Sequence, residues 1–83
     1  MYELVYSPAA SKQLEKLERA IKERIIIALE RLRIKPESRD IKKLMGMPGY
    51  RLRVGDYRII FDIERNKLLI LVLTVGHRKN IYG

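Results

Sequence analysis

The residues with chemical potential lie between Tyr50 and Tyr82. YRLRVGDYRIIF is followed by a charged turn, and LLILVLTVGHRKNIY then runs to Tyr82. Arg51 and Arg53 alternate with Tyr50, Leu52 and Val54, and Arg58 follows just past Gly55-Asp56. A period of two sends successive side chains to opposite faces of a strand. Gly-Asp suits a two-residue hairpin loop. On that register Val54 faces Tyr57, Arg53 faces Arg58, and Arg51 shares their side. Leu52, Val54, Tyr57, Ile59 and Phe61 form the other side, which must pack on helices. Like charges directly opposite one another destabilise a sheet. An anion between them reverses that balance, and guanidinium groups bind phosphate through paired donors. The expected chemistry is recognition of a phosphate-bearing partner.

A second apolar strand brings Gly76-His77-Arg78-Lys79 beside this hairpin, with Tyr82 close behind. His77 adjoins Arg78 and is a candidate acid or base; the plain alternative is a solvated surface residue. Tyr82 has little core left to join, and stacking on an unpaired base is worth about 1–3 kcal/mol. Tyr50 and Tyr57 read as packing residues. Lys42, Lys43 and Lys79 read as general phosphate attraction, or as solvated charge.

These groups need elements to hold them. Tyr2–Tyr6 is a short strand. Ser7-Pro8 marks a helix start, since Ser caps free N–H groups and Pro suits the first helical position. Leu14, Leu17, Ile21, Ile25, Leu29 and Leu32 recur every three or four residues, as on one helix face. One continuous helix from Pro8 to Lys35 would span about 40 Å, too long for a small domain to cover. A helical hairpin turning near Glu18–Ala20 is therefore expected. Ile26, Ile27 and Ile34 lie off the stripe, either packing on the first helix or forming a docking groove. Pro36 stops the second helix. Residues 37–49 connect it to the sheet, with turn formers Gly46, Pro48 and Gly49. Arg65-Asn66 marks a second turn. Leu68–Val75 is apolar up to Thr74, so a central strand covered on both faces and ended by Gly76 is expected.

Composition agrees with one small domain spanning residues 1–83. The chain has 83 residues, 47% hydrophobic and 34% charged, with no cysteine, so no disulfide or Cys-based metal site is available. No signal peptide or membrane span is legible, and a cytoplasmic location is expected. The net charge of +8 is uneven. Residues 1–40 hold nine Lys/Arg against seven Asp/Glu, and residues 41–83 hold nine against three. A surplus confined to the sheet-forming half points to nucleic acid or an acidic protein as partner.

The order of these features resembles the RelE group of the RelE/ParE toxin superfamily. It covers nearly the whole chain: strand, Ser-Pro helix start, helical hairpin, Lys43-Leu44 with Gly46, then YRLRVGDYRIIF and VGHRKNIY. The resemblance implies an α+β fold, a small twisted antiparallel sheet with the N-terminal helical hairpin packed on one face. It implies a type II toxin restrained by a cognate acidic, RelB-like antitoxin, acting by endonucleolytic cleavage of messenger RNA in the ribosomal A site. In that scheme the 2′-hydroxyl attacks the adjacent phosphorus and no metal or other cofactor is needed. Arg51 and Arg53 take the places of two basic residues on the first hairpin strand. Arg58 takes the place of the transition-state arginine, Arg78 that of the arginine after the last strand, and Tyr82 that of the base-stacking tyrosine. Well-known members carry lysine where this chain has Arg51 and Arg53. Arginine stays charged, so the base is either His77 or a group of the solvent or ribosome. Two other activities fit the same fold: a ParE-like inhibitor of DNA gyrase, and a catalytically weak RNA-binding member.

Overall fold

A computed structural model describes residues 1–81. The chain runs β1 (Glu3–Tyr6), α1 (Pro8–Glu15), α2 (Arg19–Ile34), β2 (Ile41–Lys43), β3 (Tyr50–Val54), β4 (Tyr57–Glu64) and β5 (Leu69–His77). A short 3-10 turn, Arg65–Lys67, joins the last two strands. All strands share one sheet in the order β1-β5-β4-β3-β2. The class is α+β, as expected.

Local chemistry sets the helix ends. Ser7 Oγ accepts the Ala10 N–H at 3.0 Å, and Pro8 opens α1. The helices part at residues 16–18, so the expected break is present but falls two residues earlier, and Arg19 and Ala20 already belong to α2. Their stripes supply Leu14, Ile25, Leu29 and Leu32 to the core. The sheet supplies Leu52, Ile59, Phe61, Ile70, Val72 and Val75. Strand alternation puts these on one face, so both helices cover the same side of the sheet. The other side stays open.

Four expectations change. The sheet is mixed, because β1 runs parallel to β5 while the other pairings are antiparallel. The segment 37–49 contains β2, which pairs with β3. β5 begins at Leu69 and continues through Gly76 to His77. It is central but covered on one face only: Ile70, Val72 and Val75 are buried, whereas Leu73 is exposed. The described residues form two α-helices, both on the same side, which leaves no helix for the second face. Off the helical stripe, Ile27 and Ile34 are 52% and 71% exposed, so neither is buried against α1.

A bulge makes β5 fit. The β4–β5 register slips between Ile60 and Phe61, since Ile60 faces Thr74 but Phe61 faces Val72. Leu73 is the extra residue, and a bulge leaves its backbone without the usual ladder partners. β1 also stops pairing at Val72, so β5 has no strand neighbour on that edge beyond it. Helix α1 and its cap complete the accounting. Ser7 Oγ donates to the Leu73 carbonyl at 2.8 Å, and Gln13 Oε1 accepts the Val75 N–H at 2.6 Å. A buried backbone donor left unmatched costs as much as a lost hydrogen bond.

Two substitutions test that account. Gln13→Ala is expected to cost about 1–3 kcal/mol by orphaning the Val75 N–H. Phe61→Ala removes the largest fully buried side chain and is expected to cost about 3–5 kcal/mol. Urea unfolding read at constant m-value measures both; an unchanged midpoint for Gln13→Ala contradicts the bulge account.

Candidate nucleic-acid interface

The β3–β4 hairpin sets the site. Gly55 has φ 58°, and Asp56 closes the two-residue loop. A positive φ at the first central residue is the pattern of a type II′ turn, which glycine meets without strain. Val54 then pairs with Tyr57, and Arg53 with Arg58, as the sequence register predicts. Leu52 and Ile59 pair on the buried face, so Arg51, Arg53 and Arg58 lie on the open face. β2 adds Lys42, which pairs with Arg51 and therefore shares that face.

Arg53 and Arg58 are held in place on this face. Arg58 Nη1 donates to the carbonyls of Gly55 at 2.8 Å and Tyr57 at 2.9 Å. Arg53 Nη2 donates to Asp40 Oδ1 at 2.7 Å, while the Arg53 N–H donates to the Asp40 carbonyl at 2.9 Å. The two side chains are 59% and 39% exposed, so the pair contributes about 1 kcal/mol or less to stability. Its effect is on where Arg53 points. A depression of about 210 Å³ is lined by Arg39, Asp40, Lys42, Arg51, Arg53 and Arg58. Five cations surround one carboxylate there. Donors fixed to a rigid sheet suit an anion whose charge develops in place.

The end of β5 approaches the same hairpin. The Arg78 N–H donates to the Asp56 carbonyl at 2.7 Å, and Arg78 Nε lies 3.8 Å from the Asp56 carboxylate. The first contact fastens the chain to the loop; the second is a loose ion pair. Gly76 sits opposite Arg58 on the open face. Past His77 the chain turns back, with the Asn80 N–H donating to the His77 carbonyl at 2.8 Å. Ile81 then packs over Gly76, so close that a Cβ there would stand 2.9 Å from Ile81 Cδ1.

Other predicted residues fall elsewhere. His77 pairs with Tyr57, one step along from the buried Ile59–Val75 pair, and so belongs to the helix-facing side. Its ring meets Tyr57 edge-on at 5.5 Å, and its Nδ1 accepts the Lys79 N–H at 3.2 Å. It does not join the arginine cluster. Lys43 pairs with Tyr50 and alternates away from Lys42. Lys79 is exposed in the turn after β5. Tyr82 lies outside the described residues. Sequence reading missed Arg39 and Asp40. Their signal is only their position just before a strand that itself has no apolar alternation. Among the described residues, no group of three or more His, Asp or Glu could hold a metal ion. No helix is long and apolar enough to cross a membrane.

The fold recurs in known proteins. The chain is 52% identical over 44 residues to Toxin RelE3 of Methanocaldococcus jannaschii, a match covering 52% of this chain. The matched segment spans about half of that relative, 48% of its length. The fold superposes on the RelE–RelB complex of Pyrococcus horikoshii with a TM-score of 0.82 and 28% identity, over 96% of this chain and 98% of the other. It superposes on the E. coli RelBE toxin–antitoxin complex with a TM-score of 0.79 and 29% identity, over 93% and 96%. A family model described as the ParE toxin of the type II toxin-antitoxin system parDE matches residues 4–82. With helices, sheet order and nearly the full length accounted for, the chain belongs to this family of type II toxin–antitoxin toxins.

Proposed function

We propose that this protein is a RelE-type toxin that cuts messenger RNA in the ribosomal A site. The observation that carries the reading is the cluster of Arg51, Arg53 and Arg58 on the open sheet face, beside Lys42 and Arg39. In the proposed reaction the ribose 2′-oxygen attacks the neighbouring phosphorus. The bond to the 5′-oxygen of the next nucleotide breaks, leaving a cyclic phosphate and a 5′-hydroxyl. The pentacoordinate intermediate gains negative charge on its phosphoryl oxygens. Arg58 and Arg78 stabilise that charge, and preorganised donors do so without reorganising as it forms. Arg51 and Arg53 hold the flanking backbone. Tyr82 stacks on the substrate base.

Proton transfer falls to solvent or ribosomal groups in this reading. The β4–β5 register, which sets His77 beside Tyr57 and away from the arginines, supports that choice over His77 as base. The arginines themselves stay protonated.

A RelB-like antitoxin is the proposed partner in the resting state, by analogy with the P. horikoshii and E. coli complexes. A net charge of +8 favours an acidic partner. Met1, Ile26, Ile27 and Ile34 line an apolar depression of about 360 Å³. Such a surface receives the apolar face of an amphipathic helix.

A second reading, inhibition of DNA gyrase, is favoured by one finding, the ParE description of the matching family model. Adding purified protein to translating ribosomes and mapping new RNA ends by primer extension separates the two. Cuts confined to the A site are expected, with none on naked message. Loss of gyrase supercoiling without cuts contradicts the proposal.

The same assay reads the residues. Arg58→Ala is expected to slow cleavage about 10²–10³-fold, the scale for losing one charge-stabilising donor. His77→Ala is expected to retain activity within a few-fold and to leave the pH profile unmoved; a large loss restores it as the base. Gly76→Ala pushes against Ile81 and displaces the tail, and misplacement by about 1 Å costs up to about 10²-fold. Unchanged activity in that variant means that the tail does not serve the site.

A further inference from the structure

Helix α2 carries arginines of two kinds. Arg19 pairs with Glu23 at 3.1 Å and Arg33 with Glu30 at 2.9 Å, so both are neutralised along the helix. Arg24 and Arg31 form no ion pair among the described residues. Seven residues apart, they stand two turns apart on one side of α2. That side faces a second depression, of about 360 Å³, lined by Arg24, Arg31, Asp40, Arg53 and Gly55 with Ile27 and Val54. The Arg24 guanidinium rests against the hairpin loop, where a side chain on Gly55 would begin 3.2 Å from its Nη2. Asp40 is the carboxylate in this groove, and it is committed to Arg53.

Arg53 and Asp40 also line the depression on the open face. The two basic hollows therefore meet at a shared wall, and together they run from Arg58 round the hairpin to α2. Three guanidiniums against one carboxylate repel one another unless an anion enters. We propose that the groove of Arg24 and Arg31 is a second phosphate subsite, occupied by the RNA strand that the open face engages. The inference rests on the proposed RNA-cleaving function and extends its substrate contact by one further stretch of backbone. An acidic protein segment offers carboxylates to the same arginines. The continuity of the groove with the arginine face favours one RNA strand reaching both.

Salt-dependent binding tests this. The probe is a fluorescent single-stranded 2′-O-methyl RNA, which lacks the attacking hydroxyl and stays intact. Its affinity is measured between about 50 and 200 mM salt for wild type, Arg24→Ala/Arg31→Ala, and the control Lys12→Ala/Arg19→Ala of equal net charge. Alanine suits a helix, so these variants are expected to fold, and circular dichroism verifies it. Losing two phosphate contacts makes the log–log salt slope shallower by about 1.4 and weakens binding on the order of tenfold at 0.1 M salt. The control is expected to move much less.

A result for Arg24→Ala/Arg31→Ala matching the control overturns the subsite. So does weakened binding of poly-glutamate with RNA binding intact, which assigns the groove to an acidic protein. Arg51→Ala/Arg53→Ala separates the claims. Loss of RNA binding there, with none in Arg24→Ala/Arg31→Ala, leaves the proposed function standing and removes the subsite alone. Wild-type protein that binds no RNA removes the subsite, and the primer-extension assay on ribosomes then decides the proposed function by itself.

Discussion

Everything at this surface depends on Arg53 facing Arg58 across a two-residue turn. That pairing is unfavourable in isolation, and the fold tolerates it because each charge is fastened. Arg58 is held by loop carbonyls and Arg53 by Asp40. The opposite side of the same strands carries the core, with Leu52, Ile59 and Phe61 buried under the helices. A register slip of one residue would exchange the two faces. It would bury arginines and expose the core, so the hydrophobic effect itself fixes the arginines in place. The positioning of the cations is a by-product of burying the opposite face.

The second constraint is the bulge in β5. It lets a strand paired to β1 along one edge and to β4 along the other keep Ile70, Val72 and Val75 in the core. Its cost falls on the backbone of Leu73–Val75, and Ser7 and Gln13 meet it from α1. The helix that closes the core thereby also sets where β5 ends. That end brings Gly76 opposite Arg58 and fastens Arg78 to the hairpin loop. The stability of α1 and the geometry of the arginine face are thus linked through one strand.

Much of this was legible in the residues. The Gly55-Asp56 turn and the alternation around it gave the hairpin register and the faces of Arg51, Arg53 and Arg58. The apolar stripe and Ser7-Pro8 gave the helices, and the length limit gave their hairpin. What stayed hidden depends on distant partners. β2 is three residues, Ile-Lys-Lys, and has no pattern of its own; it is a strand because β3 offers it an edge. The parallel β1–β5 pairing joins residues more than sixty apart. The bulge reverses strand parity, so a period-of-two reading from Leu68 misassigns every later side chain. His77 adjoins Arg78 in sequence, yet past the bulge it falls on the helix-facing side. Asp40 and Arg39 gained their roles only when the loop before β2 folded against Arg53.

The central claim is that RNA lies on the open sheet face, against these arginines. The direct measurement is an NMR titration of the arginine side-chain Nε–H resonances with a short oligonucleotide lacking the reactive 2′-hydroxyl. The account predicts that Arg51, Arg53, Arg58 and Arg78 shift together while Arg19, Arg33 and Arg65 stay still. Shifts confined to the helix arginines, with the hairpin arginines unmoved, would contradict it.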